Sequence, residues 1–200
     1  MEPNFNYRFN IFLVGESTVG KSCIASQASL NKFIDKHETT IGAEYTTKII
    51  KYDNKIFKIN IWDGSGKSEY RRLTFIYIKR VQGAILTYDI TNRESFLKIS
   101  DFIELCRTRG KSDLTLILVG NKFDLEQNRE VSYTEGEMFA KEQGLIFYEL
   151  SAYTAYNIEE LFNKITELIY IKIQNEASKN QGEQLILSQQ KSSIISSKCF

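Results

Sequence analysis

Two periods alternate along this chain. Phe9-Asn10-Ile11-Phe12-Leu13-Val14 starts with every second residue apolar and ends in a continuous apolar run, the pattern of a strand that becomes buried on both faces. Lys21 to Leu30 reads as a helix and Asn31 to Thr40 as a polar loop. Tyr45 to Tyr52 and Ile56 to Trp62 alternate as strands, and the Asp53-Asn54 pair between them is a hairpin turn signal. Tyr70 to Arg80 predicts a helix, against the grain of its aromatic and β-branched content. Gly83 to Asp89 and Thr115 to Gly120 are short, apolar and rich in strand-forming residues, as in strands covered on both faces. Between them Phe96, Ile99, Phe102, Ile103 and Cys106 recur at helical spacing over Ser95 to Arg107, behind Thr91 and Glu94 as a capping box. Ser132 and Glu135 open another helix that ends near Gly144, and Leu145 to Glu149 is a last strand. Asn157 with Glu160 then caps a final helix whose stripe is Ile158, Leu161, Phe162, Ile165, Leu168 and Ile169. These stripes are core faces.

Strands and helices alternating in this way predict an α/β fold. The sheet should have six strands, mostly parallel with one antiparallel strand from the hairpin, and about five helices on both faces. Ligands belong at the carboxyl ends of such strands. From Gln174 the chain turns rich in Ser, Gln, Asn and Lys without helical period, broken only by Leu185-Ile186-Leu187 and Ile194-Ile195. The expected organisation is one domain over 1–173 and a flexible tail over 174–200.

Candidate chemistry starts at the first strand–helix junction. Gly15-Glu16-Ser17-Thr18-Val19-Gly20-Lys21-Ser22 fits G-x-x-x-x-G-K-[ST] and lies between a strand and a helix, the context that a phosphate-binding loop requires. Backbone N–H groups turn inward on phosphate, the helix N-terminus adds partial positive charge, Lys21 reaches the β/γ oxygens and Ser22 offers a hydroxyl to Mg²⁺. The expected contacts are Gly15, Ser17, Thr18, Val19, Gly20, Lys21, Ser22 and Cys23. Asn121-Lys122-Phe123-Asp124 follows the strand ending at Gly120, at the same sheet edge. The Asp124 carboxylate can accept from guanine N1 and N2, a pair of donors that adenine lacks. Ser151-Ala152, after the last strand, can present a backbone N–H to guanine O6. Asp63-Gly64-Ser65-Gly66 supplies an Asp for Mg²⁺ through water and a Gly66 N–H for the γ-phosphate, and a hydroxyl from Thr39-Thr40 can complete the metal shell.

In order and spacing these segments resemble the small GTPases of the Ras superfamily, and within it the Rab family, over about residues 8–173. Ile61-Trp62-Asp63, Tyr88-Asp89-Ile90-Thr91, Glu94-Ser95-Phe96 and Thr40-Ile41-Gly42-Ala43-Glu44-Tyr45 are similar to stretches typical of Rabs. The resemblance implies the P-loop NTPase fold, GTP/GDP and Mg²⁺ as cofactors, and a switch in vesicle or membrane trafficking. It makes Thr40 the switch threonine and stacks Phe33 on guanine. Tyr45, Trp62 and Tyr77 match the aromatic triad of Rab effector surfaces, although without that resemblance half-buried packing is the preferred reading of Trp62 and Tyr77. Partners implied are effectors, an exchange factor and an activating protein, with the chain itself monomeric. Cys199, one residue from the end, would carry a lipid, giving a cytoplasmic protein reversibly attached to the cytosolic face of an intracellular membrane.

The chain departs from that pattern at several places. Lys67 stands where the family has the glutamine that orients the attacking water, which implies slow intrinsic hydrolysis. Gly64-Ser65 replaces Thr-Ala, Ser68-Glu69 replaces Glu-Arg, Thr18 replaces a frequent glycine, and Tyr153 replaces the lysine of Ser-Ala-Lys. His37 takes the position of an aromatic lid in relatives, or is an exposed loop histidine. Lys-Cys-Phe is neither a paired-cysteine ending nor a C-a-a-X box. An alternative is a nucleotide-locked or catalytically inert recruitment module. A P-loop kinase or ATPase leaves Asn121, Lys122 and Asp124 without a role.

Composition changes this picture little. With 42% hydrophobic and 26% charged residues the chain suits a globular domain, and Lys+Arg 26 against Asp+Glu 25 leaves +1, which argues against nucleic acid as a partner. No apolar run approaches the roughly 18 residues of a membrane span, and polar Met1 to Asn10 is not expected to act as a signal peptide. Three widely spaced cysteines have neither C-x-x-C spacing nor a histidine nearby, so neither zinc nor a disulfide framework is expected, and Cys23 and Cys106 read as core.

Overall fold

The computed structural model describes residues 4–33, 43–66 and 71–196. Strand β1 (Tyr7–Val14) leads into helix α1 (Lys21–Leu30), and β2 (Ala43–Tyr52) pairs antiparallel with β3 (Lys55–Gly64). Helix α2 (Arg71–Ile78) precedes β4 (Gly83–Asp89), and α3 (Arg93–Leu97) with α4 (Ile99–Arg109) precedes β5 (Thr115–Asn121). A short 3₁₀ turn (Phe123–Asn128), α5 (Tyr133–Glu142), β6 (Ile146–Glu149) and α6 (Ile158–Ser196) complete the order. The six strands run β2-β3-β1-β4-β5-β6, with every pairing parallel except β2 with β3. This is the mostly parallel α/β sheet that the periodicity predicts.

The period of two sorts β1 onto two cores. Phe9, Ile11 and Leu13 join Phe57, Ile59 and Ile61 of β3 and the α6 stripe of Leu161, Phe162 and Ile165 on one face. Phe12 and Val14 join Leu86 and Tyr88 of β4 and the α4 residues Phe102 and Ile103 on the other. All seven residues of β4 are buried, the signature of a central parallel strand. At the hairpin, Asp53 and Asn54 both take positive φ (48° and 57°), as a two-residue turn matching strand twist requires.

Local chemistry departs from expectation in four places. The single helix expected over Ser95 to Arg107 is two, α3 and α4, broken at Lys98, so six α-helices are described rather than about five. Its cap is Asn92, whose Oδ1 accepts from Ser95 N–H (3.1 Å). Thr91 is engaged elsewhere, donating its hydroxyl to Asp89 Oδ1 (2.7 Å), so the Thr91–Glu94 box does not form. Ser132 does cap α5, accepting from Glu135 N–H (3.1 Å). Asn157 takes φ 59° and donates Nδ2 to Glu149 O (2.8 Å), tying down the end of β6 rather than capping α6. Finally, the backbone of α6 stays helical to Ser196, past the point near 173 at which the sequence loses its helical period. Among the described side chains its apolar contacts with the body reach Ile173, and although Asn, Ser and Gly182 beyond are weak helix formers, no proline interrupts it. No described helix is long and apolar enough to cross a membrane.

Candidate nucleotide-binding site

The carboxyl ends of β1, β3, β4, β5 and β6 converge on one edge of the sheet, and every described segment expected to touch nucleotide lies there. The loop between β1 and α1 turns through Gly15 (φ 154°) and Gly20 (φ 94°) and delivers Lys21 to a buried position, 6% exposed. Its Nζ donates to Gly15 O (3.0 Å) and Glu16 O (2.7 Å), so the ammonium is held inside the loop. Burial pulls the Lys21 pKa down to about 8, against the opposing pull of Asp63 and Glu16. The charged form is therefore held at a cost that an anion in the loop would relieve. Ser22 Oγ donates to Asp63 Oδ2 (2.5 Å), bringing the two expected Mg²⁺-side groups together from α1 and β3.

Among the described residues no cluster of three or more His, Cys, Asp and Glu side chains could hold a metal by itself. A hydroxyl and one carboxylate fit a hard cation that takes its remaining oxygens from phosphate and water, so the donor set suits Mg²⁺ bound with a nucleotide. Gly66 approaches the loop closely: a Cβ there would lie 2.3 Å from Ser17 N. The second switch motif thus borders the phosphate loop. At Gly64 a Cβ would meet the Phe12 ring at 2.5 Å, so Phe12 fills the space that the family's threonine side chain would take, and the Gly64 departure is matched by core packing.

Thr18 adopts φ 66°, a left-handed conformation that is strained for a β-branched residue. Its hydroxyl donates to Ser17 O (2.6 Å). Thr18→Gly removes the strain, and chemical denaturation should show about 1 kcal/mol of added stability. Unchanged or reduced stability would mean that the loop is not strained there.

The base side is a cavity of about 310 Å³ whose lining includes Thr18, Cys23, Phe33, Lys122, Asp124 and Tyr153. Asp124 Oδ1 accepts from Ser151 Oγ (2.5 Å), and Ser151 Oγ accepts from Thr154 N–H (3.0 Å). That chain of donors fixes the carboxylate. Asn121, 2% exposed, donates Nδ2 to Val19 O (2.8 Å) and accepts from Ala152 N–H (3.1 Å). The amide expected to meet guanine O6 at Ala152 is thus already directed at Asn121, and a base oxygen there would share it. Tyr153, in the place of a lysine, meets Phe33 edge-on with centroids 5.1 Å apart, so an aromatic pair walls the cavity. Cys106 is fully buried, whereas Cys23 is only half-buried, packing on the core while lining this cavity.

One site residue escaped the sequence reasoning. Asp89 ends β4 in register with Asn121 of β5, and its Oδ2 lies 2.6 Å from Lys122 Nζ. Lys122 has φ 70°, so backbone and ion pair together set its direction. The signal was present in the Asp that closes an otherwise apolar strand. Thr39, Thr40, His37, Lys67 and Cys199 lie outside the described residues.

On the outer side of the hairpin, Tyr45 stands opposite Trp62 in the β2–β3 register with centroids 5.1 Å apart, and Trp62 lies 5.1 Å from Tyr77 of α2. Trp62 Nε1 donates to Asn10 Oδ1 (3.3 Å), and Tyr77 stacks on Phe12. The three rings form one row. Tyr45 is 63% exposed, whereas Trp62 and Tyr77 are half-buried against the core. The family model for the Ras family matches residues 10–171, a span that contains the whole nucleotide edge and both described aromatic strands. With the six-stranded sheet and the phosphate, metal and base groups gathered at one edge, the chain belongs to the Ras family of small GTPases.

Proposed function

We propose that the chain is a Rab-like switch of membrane trafficking that turns over GTP slowly. The row of Tyr45, Trp62 and Tyr77 carries the Rab assignment: an exposed aromatic continuous with two anchored ones is a preformed surface on which a partner can bury area at little entropic cost. In this reading Gly15, Ser17, Thr18, Val19, Gly20, Lys21, Ser22 and Cys23 hold the phosphates and Asn121, Lys122, Asp124, Ser151, Ala152 and Tyr153 hold the base with Phe33. Ser22, Asp63 and Thr40 hold Mg²⁺, which when bound neutralises charge on the phosphate oxygens. Gly66 and Thr40 read the γ-phosphate, whose loss releases both switch segments. An effector, an exchange factor and an activating protein are the partners, and a lipid on Cys199 gives reversible membrane attachment.

Lys67 supports the second reading, a nucleotide-locked recruitment module. A glutamine accepts from the attacking water through its carbonyl, whereas an ammonium only donates. A positive charge on the γ-phosphate holds ground and transition states about equally and adds little rate. Single-turnover hydrolysis at saturating Mg²⁺ separates the two readings. A slow but measurable rate, accelerated at least about tenfold by Lys67→Gln, supports the switch. No hydrolysis in either protein favours the locked module, and equal finite rates would remove Lys67 as the cause of slowness.

A further inference from the structure

At the sheet edge opposite the nucleotide site, the loop from α4 to β5, the loop from α5 to β6 and one side of α6 enclose a second cavity of about 400 Å³. Arg107, Lys111 and Lys172 all line it and no Asp or Glu does. None of the three has a carboxylate partner among the described residues. Arg107 is held at the rim by Gln143, donating Nη1 to its Oε1 (3.0 Å) and Nη2 to its backbone O (2.7 Å). Lys172 Nζ donates to Asp113 O (2.9 Å). Three cations lining one cavity, without acidic partners among the described residues, favour an anion between them. The same lining includes apolar side chains: Cys106 is fully buried, and Leu116, Leu145 and Leu168 are partly buried. Thr115, 3% exposed, also lines the cavity, and its hydroxyl has no hydrogen-bond partner among the described residues. A buried hydroxyl without a partner marks a place where a polar ligand atom gains a bond.

We infer that this cavity binds a small amphipathic phosphate ester, its phosphate among Arg107, Lys111 and Lys172 and its hydrocarbon against Leu116, Leu145 and Leu168. Three cations match the double charge of a phosphate monoester better than the single charge of a carboxylate, and the volume lies in the range of small-molecule sites. The chemistry is shared by a soluble phosphate ester and by the headgroup and proximal chain of an anionic lipid. The site is separate from the phosphate loop, so it does not depend on the proposed switch function.

The test uses the full chain saturated with GDP and Mg²⁺, so that the phosphate loop is filled. Hexyl phosphate is titrated calorimetrically beside inorganic phosphate, hexanoate and 1-hexanol, with backbone amide shifts followed by NMR. Hexyl phosphate should bind at least about tenfold tighter than each of the other three, which lack either the hydrocarbon, the second charge or all charge. Shifts should concentrate at 107–116, 143–146 and 168–172. Lys111→Ala with Lys172→Ala, both exposed positions, should lower affinity at least about tenfold while leaving the thermal midpoint within a few degrees. Vesicles containing phosphatidic acid then distinguish the sources: competition with hexyl phosphate identifies a lipid headgroup, and its absence identifies a soluble ester. Equal affinity for hexyl phosphate and hexanoate, shifts elsewhere, or an unchanged double variant would overturn the site.

Discussion

Asp124→Asn will exchange guanine selectivity for xanthine selectivity. The carboxylate can accept two N–H bonds from guanine, each charge-assisted and each about 1.5–3 kcal/mol, so the expected loss of GTP affinity is roughly two to four orders of magnitude. An asparagine amide in the same place offers one acceptor and one donor, which suits the N–H and carbonyl that xanthine presents. The fold should not suffer, because the bond from Ser151 Oγ can be made to an asparagine carbonyl as well as to the carboxylate. Fluorescent-nucleotide competition with GTP and xanthosine triphosphate is the measurement. Unchanged GTP affinity without a gain for xanthosine triphosphate would place the base elsewhere in the cavity.

Asn121→Ala should do the opposite, damaging fold and binding together. The substitution strips a partner from Val19 O and from Ala152 N–H, in a position that water does not reach. At about 1–3 kcal/mol for each orphaned group, denaturant unfolding should show a loss of about 2–6 kcal/mol. Release of fluorescent GDP should accelerate at least about tenfold, since both the phosphate loop and the Ser151–Ala152 segment lose their tie. A loss below about 1 kcal/mol with unchanged release would show that the two bonds are dispensable. Measured side by side, the two variants separate recognition of the base from construction of its pocket.

Much of this candidate site was legible because each of the groups gathered there belongs to a short contiguous segment. The phosphate loop, Asp63 to Gly66, Asn121 to Asp124 and Ser151-Ala152 each follow a strand whose apolar run was plain, and a parallel sheet gathers strand ends at one edge. Interactions between segments were less visible. The Asp89–Lys122 ion pair depends on the register of β4 against β5, which periodicity does not determine. The choice of Asn92 over Thr91 as cap goes with the bond that the Thr91 hydroxyl donates to Asp89 Oδ1, a contact that helical spacing does not show, and the periodicity gives no sign of the break at Lys98. The Gly64 departure looked like a lesion in the sequence, yet it is matched by Phe12, fifty-two positions earlier on the neighbouring strand. Past Ile173 the apolar stripe gave no reason for helix, and propensity without packing was too weak a signal to predict the continuation to Ser196.

The clamp made by Asn121 also gives the molecule an internal reporter. Because the Ala152 amide proton is held by a side chain that simultaneously holds the phosphate loop 102 residues away from it, that proton can exchange with solvent only when the shared tie opens. Its exchange rate therefore measures a concerted opening of two loops remote in sequence. A bound nucleotide that spans both loops should slow exchange at Ala152 far more than at amides in the middle of α5, which have no connection to the clamp.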